Sequence, residues 1–249
     1  MTDLVGRVVI VTGGAVHLGK TYACALADRG ASVVVADLSG AALVAESIRG
    51  KDGRAIGVDI DLRDPSSLEA MVAKAHDEFG AVHALVNNAG HFRNIFRGPF
   101  EDIPESDWDA CFDINVKGTW NAIRAVVPGF RKTGGGRIVN VSSSTAFKGL
   151  GNVVHYAAAK AAIVGMTRSL ARELGPDSIC VNAIAPDYVP DDDLHTRSPA
   201  ARGRAVQGRC LQRDQTADDL VGAVTFLVSE DSAFVTGQTI HVNGGSYFG

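Results

Sequence analysis

Short, nearly continuous apolar runs recur along this chain: RVVIVT at 7–12, SVVVAD at 32–37, AIGVDIDL at 55–62, VHALVNNAG at 82–90, GRIVNV at 136–141, SICVNAIAP at 178–186 and QTIHVNG at 238–244. They lack the alternation of a strand with one wet face, so each reads as a strand covered on both sides, as in a parallel sheet. Helical patterns lie between them: KTYACALADRG at 20–30, PSSLEAMVAKAHDEFG at 65–80, a long one at 105–130, another from about Val153 to Leu174, and ADDLVGAVTFLVS at 217–229. Pro65 starts the second of these helices and Gly80 ends it. Strand and helix in alternation predict an α/β fold, a doubly wound parallel sheet of about seven strands flanked by helices on both faces. Nothing divides residues 1–249, so one domain is expected. A polar, interrupted segment at 187–215 breaks the pattern and reads as a lid over a site.

Composition narrows the function classes. The chain is 46% apolar and 21% charged, which suits an ordinary globular core. A net charge of −4 argues against a nucleic-acid partner. Cys24, Cys111, Cys180 and Cys210 are scattered with no C-x-x-C, so neither a disulfide framework nor a metal site is expected. The start, MTDLVGR, has no signal-like segment, and no apolar run is long enough to span a bilayer. A cytoplasmic setting without membrane association is the expectation.

Candidate chemistry concentrates between Asn140 and Leu174. The strand GRIVNV runs into Ser142, Ser143 and Ser144, and the helix that follows carries Tyr156 and Lys160 four residues apart, on one face. Ser143 falls at a strand end, where open α/β sheets present their chemistry. A phenol of ordinary pKa about 10 is a poor base at neutral pH, and a nearby cation favours its ionised form. Lys160 is the candidate for that charge, and Ser143 for a donor to a substrate oxygen.

The first strand leads into a glycine turn, with Gly13, Gly14 and Gly19, and then a helix whose free N–H groups suit a pyrophosphate. Asp37 ends the next strand, where a carboxylate can accept the ribose hydroxyls and repel a 2′-phosphate. Neither Val16 nor Leu38 offers that phosphate a positive charge. The expected cofactor is NAD.

The ordered set T-G-x-x-x-x-x-G at 12–19, Asp37, Asp61, N-N-A-G at 87–90, Asn115, Ser143, Y-x-x-x-K at 156–160 and N-A-I-A-P at 182–186 resembles the short-chain dehydrogenase/reductase family over essentially the whole chain. The resemblance implies a catalytic set of Asn115, Ser143, Tyr156 and Lys160. Tyr156 is then the acid/base, and Lys160 lowers its pKa and binds the nicotinamide ribose. Ser143 orients the substrate oxygen, and Asn115 holds a relay water. It also implies a cofactor cleft lined by Gly13, His17, Leu18, Gly19, Asp37, Leu38, Asp61, Leu62, Asn88, Ala89, Gly90, Pro186 and Val189, with Tyr156 and Lys160 at its end. Three positions depart from the family pattern: His17 stands for the middle glycine of the turn, Asp187 for the glycine after Pro186, and Asp191 for a threonine.

Two further groups lie near these motifs. His91, His155 and His195 flank N-N-A-G, Tyr156 and the lid, without metal-ligand spacing. Arg197, Arg202, Arg204, Arg209 and Arg213 could meet an anionic substrate, but Asp191, Asp192, Asp193 and Asp214 share the segment, which favours a solvated mixed-charge loop. The expected activity is NAD-dependent interconversion of a secondary alcohol and a ketone. A 3-oxoacyl-thioester reductase is the alternative enzyme, and a nucleotide-binding regulator with a relict site the alternative class. A homo-oligomer, first of all a tetramer, is expected from the resemblance and from Trp120, Ile123, Val127, Ile163, Met166 and Leu170 on the two long helices.

Overall fold

The computed structural model describes residues 3–190 and 199–248. Seven parallel strands form one sheet in the order β3-β2-β1-β4-β5-β6-β7. They are β1 Val8–Thr12, β2 Ser32–Asp37, β3 Arg54–Asp59, β4 Ala84–Asn87, β5 Gly136–Val141, β6 Ile179–Pro186 and β7 Thr239–Val242. The order reverses between β1 and β4, which opens a crevice at their carboxyl ends.

Both faces of the sheet are dry, as the unbroken valine runs require. Val9, Val11, Val33, Val35 and Val139 point to one side, where they meet Leu26 of α1 (His17–Ala27), Val44 of α2 (Ala41–Arg49) and Leu220 and Val224 of the last helix. Ile10, Val34, Leu85, Ile138 and Val181 point to the other, against Leu68 and Met71 of α3 (Pro65–Phe79) and Ile123 and Phe130 of a later helix. Alternate residues of each strand therefore feed two separate cores. Asp64 caps α3 by accepting a hydrogen bond from the Ser66 amide at 2.9 Å, and Pro65 occupies the first turn.

Three elements differ from the sequence expectation. The segment at 105–130 is not one helix: α4 (Glu105–Phe112) passes through a π-helical turn, Asp113–Gly118, into α5 (Thr119–Thr133). That wide turn carries Asn115. Helix α2 was not singled out in the sequence; half of its buried face is alanine, yet Ala41, Val44, Ala45 and Ile48 keep helical spacing. After α6 (Thr145–Lys148) and α7 (Val154–Leu174), the irregular segment holds a helix, α8 (Pro199–Gln207), ahead of α9 (Asp218–Val228).

The apolar positions read as an outer face mostly serve the chain's own core. Ile123, Val127 and Ile163 are buried, and Met166 and Leu170 pack partly against the same core. Trp120 alone of the six is exposed, with the Arg124 guanidinium 4.7 Å from its ring centre.

Candidate active site

The crevice begins at the turn after β1. Gly13 sits at φ +64°, and a Cβ there would lie 2.7 Å from Ala89 Cα. A side chain at Gly19 would collide with the Gly13 carbonyl, so the turn closes on α1 only without one. Thr12 Oγ1 accepts the Asn88 and Ala89 amides at 3.1 and 3.2 Å, and Asn88 Nδ2 donates to the Thr12 and Gly13 carbonyls. Asn88 and Ala89 thus fix the turn's shape from β4. His17 begins α1 at φ +44°, a left-handed conformation that histidine tolerates better than most side chains.

Asp37 reaches this turn directly: Oδ2 accepts the Ala15 amide at 2.9 Å and Oδ1 its neighbour Leu38 amide at 2.8 Å. Leu38 is exposed beside it. Asp61 is less simply placed than the sequence suggested. Both of its carboxylate oxygens are held by Arg63, at 2.6–3.1 Å, so this edge presents an ion pair. Leu62 is buried, its carbonyl accepts Asn121 Nδ2 at 2.9 Å, and its side chain packs over Gly118 in the π-helical turn. The close-packed turn, the first-turn amides of α1 and the carboxylate at the end of β2 together fit a dinucleotide.

At the far end of the crevice the catalytic candidates converge. A Cβ on Gly90 would lie 2.6 Å from Asn115 Oδ1 and 3.5 Å from Lys160 Nζ, so glycine is needed where these two side chains meet. Tyr156 and Lys160 are buried on α7, with Nζ 5.8 Å from the phenol ring centre. Ser143, just past β5, interacts with the Tyr156 hydroxyl, and its Oγ also lies 2.9 Å from Thr145 Oγ1. Ser142 Oγ donates to the Lys160 carbonyl at 2.8 Å, which ties the end of β5 to α7.

The electrostatics correct one expectation. Burial raises the Tyr156 phenol well above its ordinary range, with Ser143 and Arg97 pulling it down only in part. Burial also pushes Lys160 down to about 8. Lys160 Nζ donates one hydrogen bond to the Val141 carbonyl at 2.8 Å and stands 5.8 Å from the Tyr156 ring centre. Desolvation outweighs the neighbouring cation here.

Asn115 also has a different set of partners from the relay water implied earlier. Its Oδ1 accepts the His91 amide at 3.1 Å, and its Nδ2 donates to the His91 and Cys111 carbonyls. The sequence offered no sign of what lies behind this. Asp107 of α4 holds His91 Nε2 at 3.3 Å, His155 Nε2 at 3.1 Å and the Phe96 amide at 2.6 Å. His91 and His155 therefore brace the loop after β4 and the start of α7.

Asp187 closes the other side. Its Oδ1 accepts Ser144 Oγ at 2.7 Å and Lys148 Nζ at 2.9 Å, its Oδ2 accepts Arg209 Nε at 3.0 Å, and its amide donates to Gln215 Oε1. Burial alone would raise this carboxyl, but the bonds from Lys148, Ser144 and Arg209 hold it at about 2. The Pro186 carbonyl accepts the Ser144 amide at 2.8 Å. Beyond it, a cavity of about 390 Å³ lies between His17, Leu18, Val189, Pro190 and Arg202. Arg202 is paired with Asp214, and Arg213 with Asp219. Two acids of the segment, Asp187 and Asp214, thus hold Arg209 and Arg202, and Asp219 of α9 holds Arg213. Asp191, Asp192, Asp193, His195 and Arg197 lie outside the described residues.

Fold and site together define a dinucleotide-dependent oxidoreductase scaffold with a Ser/Tyr/Lys centre, and comparison with known proteins agrees. Residues 14–247 match the family described as enoyl-(acyl carrier protein) reductase. The chain is 34% identical to the 3-oxoacyl-[acyl-carrier-protein] reductase FabG of Vibrio harveyi, covering 98% of this chain and 99% of that relative. It is equally 34% identical to the FabG of Escherichia coli K12, over 97% and 98% of the two chains. The crystal structure of a candidate short-chain alcohol dehydrogenase from Sinorhizobium meliloti 1021 superposes with a TM-score of 0.91 at 33% identity, covering 98% of this chain and 97% of that one. The chain belongs to the short-chain dehydrogenase/reductase family and is an oxidoreductase of that family. No helix among the described residues is long and apolar enough to cross a membrane.

Proposed function

We propose that this protein is an NAD-dependent oxidoreductase that interconverts a secondary alcohol and a ketone. The observation that carries the reading is the meeting of Ser143, Tyr156, Lys160 and Asn115 at the end of the crevice that starts at Gly13. The choice of NAD rests on Asp37, which is fixed to the turn at Ala15, and on Leu38, which brings no charge to a 2′-phosphate. Arg63, the cation nearby in sequence, is committed to Asp61.

A bound nicotinamide supplies the hydride acceptor or donor. The chain's own residues do the rest. In reduction Tyr156, buried and neutral, gives its hydroxyl proton to the carbonyl oxygen; in oxidation it first loses that proton to solvent, and the phenolate then takes the proton of the alcohol. Ser143 donates to the same oxygen as charge develops there. Lys160, with its proton held loosely at about 8, is the neighbouring cation that restores charge balance when the phenol ionises. Asn115 packs against Gly90 and accepts the His91 amide, which holds the loop after β4 beside Lys160.

The FabG relatives favour a second reading, reduction of a 3-oxoacyl thioester. Absorbance at 340 nm separates the two. The expected result is turnover of small secondary alcohols with NAD above that with NADP. Turnover confined to 3-oxoacyl thioesters with NADPH overturns it. The segment at 187–215 acts as the lid, and the working form is a homo-oligomer.

A further inference from the structure

The lid arginines, which the sequence favours as part of a solvated mixed-charge loop, offer a substrate little: Arg204 is exposed on α8, and the others among the described residues are paired. Arg202, Arg209 and Arg213 are each held by a carboxylate, from Asp214, Asp187 and Asp219. Arg97, in the loop after β4, has no carboxylate partner among the described residues. Its guanidinium centre stacks 4.6 Å from the Phe92 ring centre, and Phe92 in turn packs 4.7 Å from the Tyr156 ring. Phe92 thus touches both this cation and the candidate acid/base.

Of the five N–H donors on the guanidinium, Nη2 uses one on the Phe92 carbonyl at 3.2 Å, and the others have no protein acceptor among the described residues. Burial lowers the pKa of the Arg97 guanidinium, and the Tyr156 and Tyr188 phenols offset part of that. Tyr188 adds a second observation: its hydroxyl is buried and has no hydrogen-bond partner among the described residues, a state that a water or a ligand completes. Its carbonyl accepts Arg209 Nη2 at 2.5 Å, which ties the Tyr188 backbone to the Asp187 cluster. That cluster also keeps Asp187 from repelling an anion, because Lys148 and Arg209 surround its charge.

We propose that Arg97 and Tyr188 form a subsite for a carboxylate, and that the substrate is a hydroxy acid or keto acid whose anionic group lies a few bonds from the reacting carbon. A guanidinium fork matches a carboxylate in geometry, and a buried phenol can donate to the same group. Stacking on Phe92 holds the fork rigid and in place before substrate arrives. This rests on the oxidoreductase reading above, and it narrows the substrate class within it.

The test compares acids with neutral counterparts. 2-Hydroxybutanoate, 3-hydroxybutanoate and their methyl esters are assayed as kcat/KM ratios with NAD, and the acids are titrated calorimetrically into enzyme saturated with NADH. The expected result is wild-type preference for an acid over its ester. That ratio falls by roughly tenfold or more in Arg97→Ala and by less in Arg97→Lys, with the calorimetric signal weakened in parallel, as loss of a charge-assisted contact requires. Tyr188→Phe lowers the same ratio. Equal treatment of acid and ester by the wild type, or an equal loss on both in Arg97→Ala, overturns the subsite and leaves the oxidoreductase reading standing. Acid binding that depends on Arg97 with no hydride transfer from any of the four compounds supports the subsite and counts against the assigned activity. No binding and no turnover of any acid overturns the subsite.

Discussion

Single side chains at this site act through what burial does to them. Tyr156 and Lys160 are both shifted toward their neutral forms, so proton transfer at Tyr156 starts from a phenol. Tyr156→Phe keeps the ring against Phe92 and removes the proton. Turnover is expected to fall by roughly 10²–10⁴, the usual worth of a positioned acid/base, while calorimetric NAD binding survives. Near-normal turnover in that variant refutes the assignment. Asp37 governs the choice of cofactor. In Asp37→Ala with Leu38→Arg, the kcat/KM preference should move from NAD toward NADP, because a repulsive group is exchanged for an attractive one. A wild type that already favours NADP sinks this account. His17 is the unusual member of the turn, with φ +44° and a place on the cavity wall beside Val189. A protonated imidazole can bind a phosphate oxygen where a neutral one cannot add charge to the contact. NAD should therefore bind more tightly at pH 6 than at pH 8 in the wild type, with the difference lost in His17→Gly. Four equal affinities by calorimetry would make the histidine a silent substitution.

Between elements, a few polar clusters set distances that apolar packing leaves loose. Asp107 joins α4 to the loop after β4 and to α7, and Asp187 joins β6 to α6 and to the segment between α8 and α9. Its bonds from Lys148, Ser144 and Arg209 hold the Asp187 carboxyl at about 2 in the folded protein, below the ordinary 3.8, so unfolding takes up a proton between those limits. Its contribution is complete above about pH 4 and is lost as the pH falls toward 2, an effect on the order of 2 kcal/mol. Asp187→Asn should flatten that part of the acid limb. It should also cost roughly 3 kcal/mol at pH 7, because Arg209 is left buried without its counter-ion. Urea denaturation at pH 7, 4 and 3 reads both effects, and an unchanged midpoint at pH 7 would mean that the cluster carries no net stability.

At the scale of the whole molecule, the proposed oligomer needs an apolar surface that the chain does not use itself. Five of the six positions first assigned to that surface pack wholly or partly on the chain's own core, and Trp120 remains at 42% exposure. Trp108 on α4 is exposed to a similar degree, and Phe248 near the chain end is 78% exposed. Light scattering at micromolar concentration should give a multiple of the 26.0 kDa chain mass, four chains being the expected form. A mass of one chain would refute the oligomer.

Local pattern determined much of this protein. The seven strands were legible because a strand buried on both faces must be apolar at nearly every position, and helix α3 because Pro65 and Gly80 mark its ends. The spacing of Tyr156 and Lys160 was legible because α-helical geometry puts them on one face. Other features depend on contacts between distant residues, which no local pattern records. The π-helical turn at Asn115 rests on its bonds to His91 and on Leu62 packed over Gly118. The meaning of Asp187 came from Lys148 and Arg209, far away in the chain, which turn an apparent break in a motif into a buried ion-pair centre. Likewise, only the fold separates the arginines already held by carboxylates from Arg97. Charge is visible in a sequence, but whether it is already neutralised depends on which groups the folded chain brings within hydrogen-bonding distance.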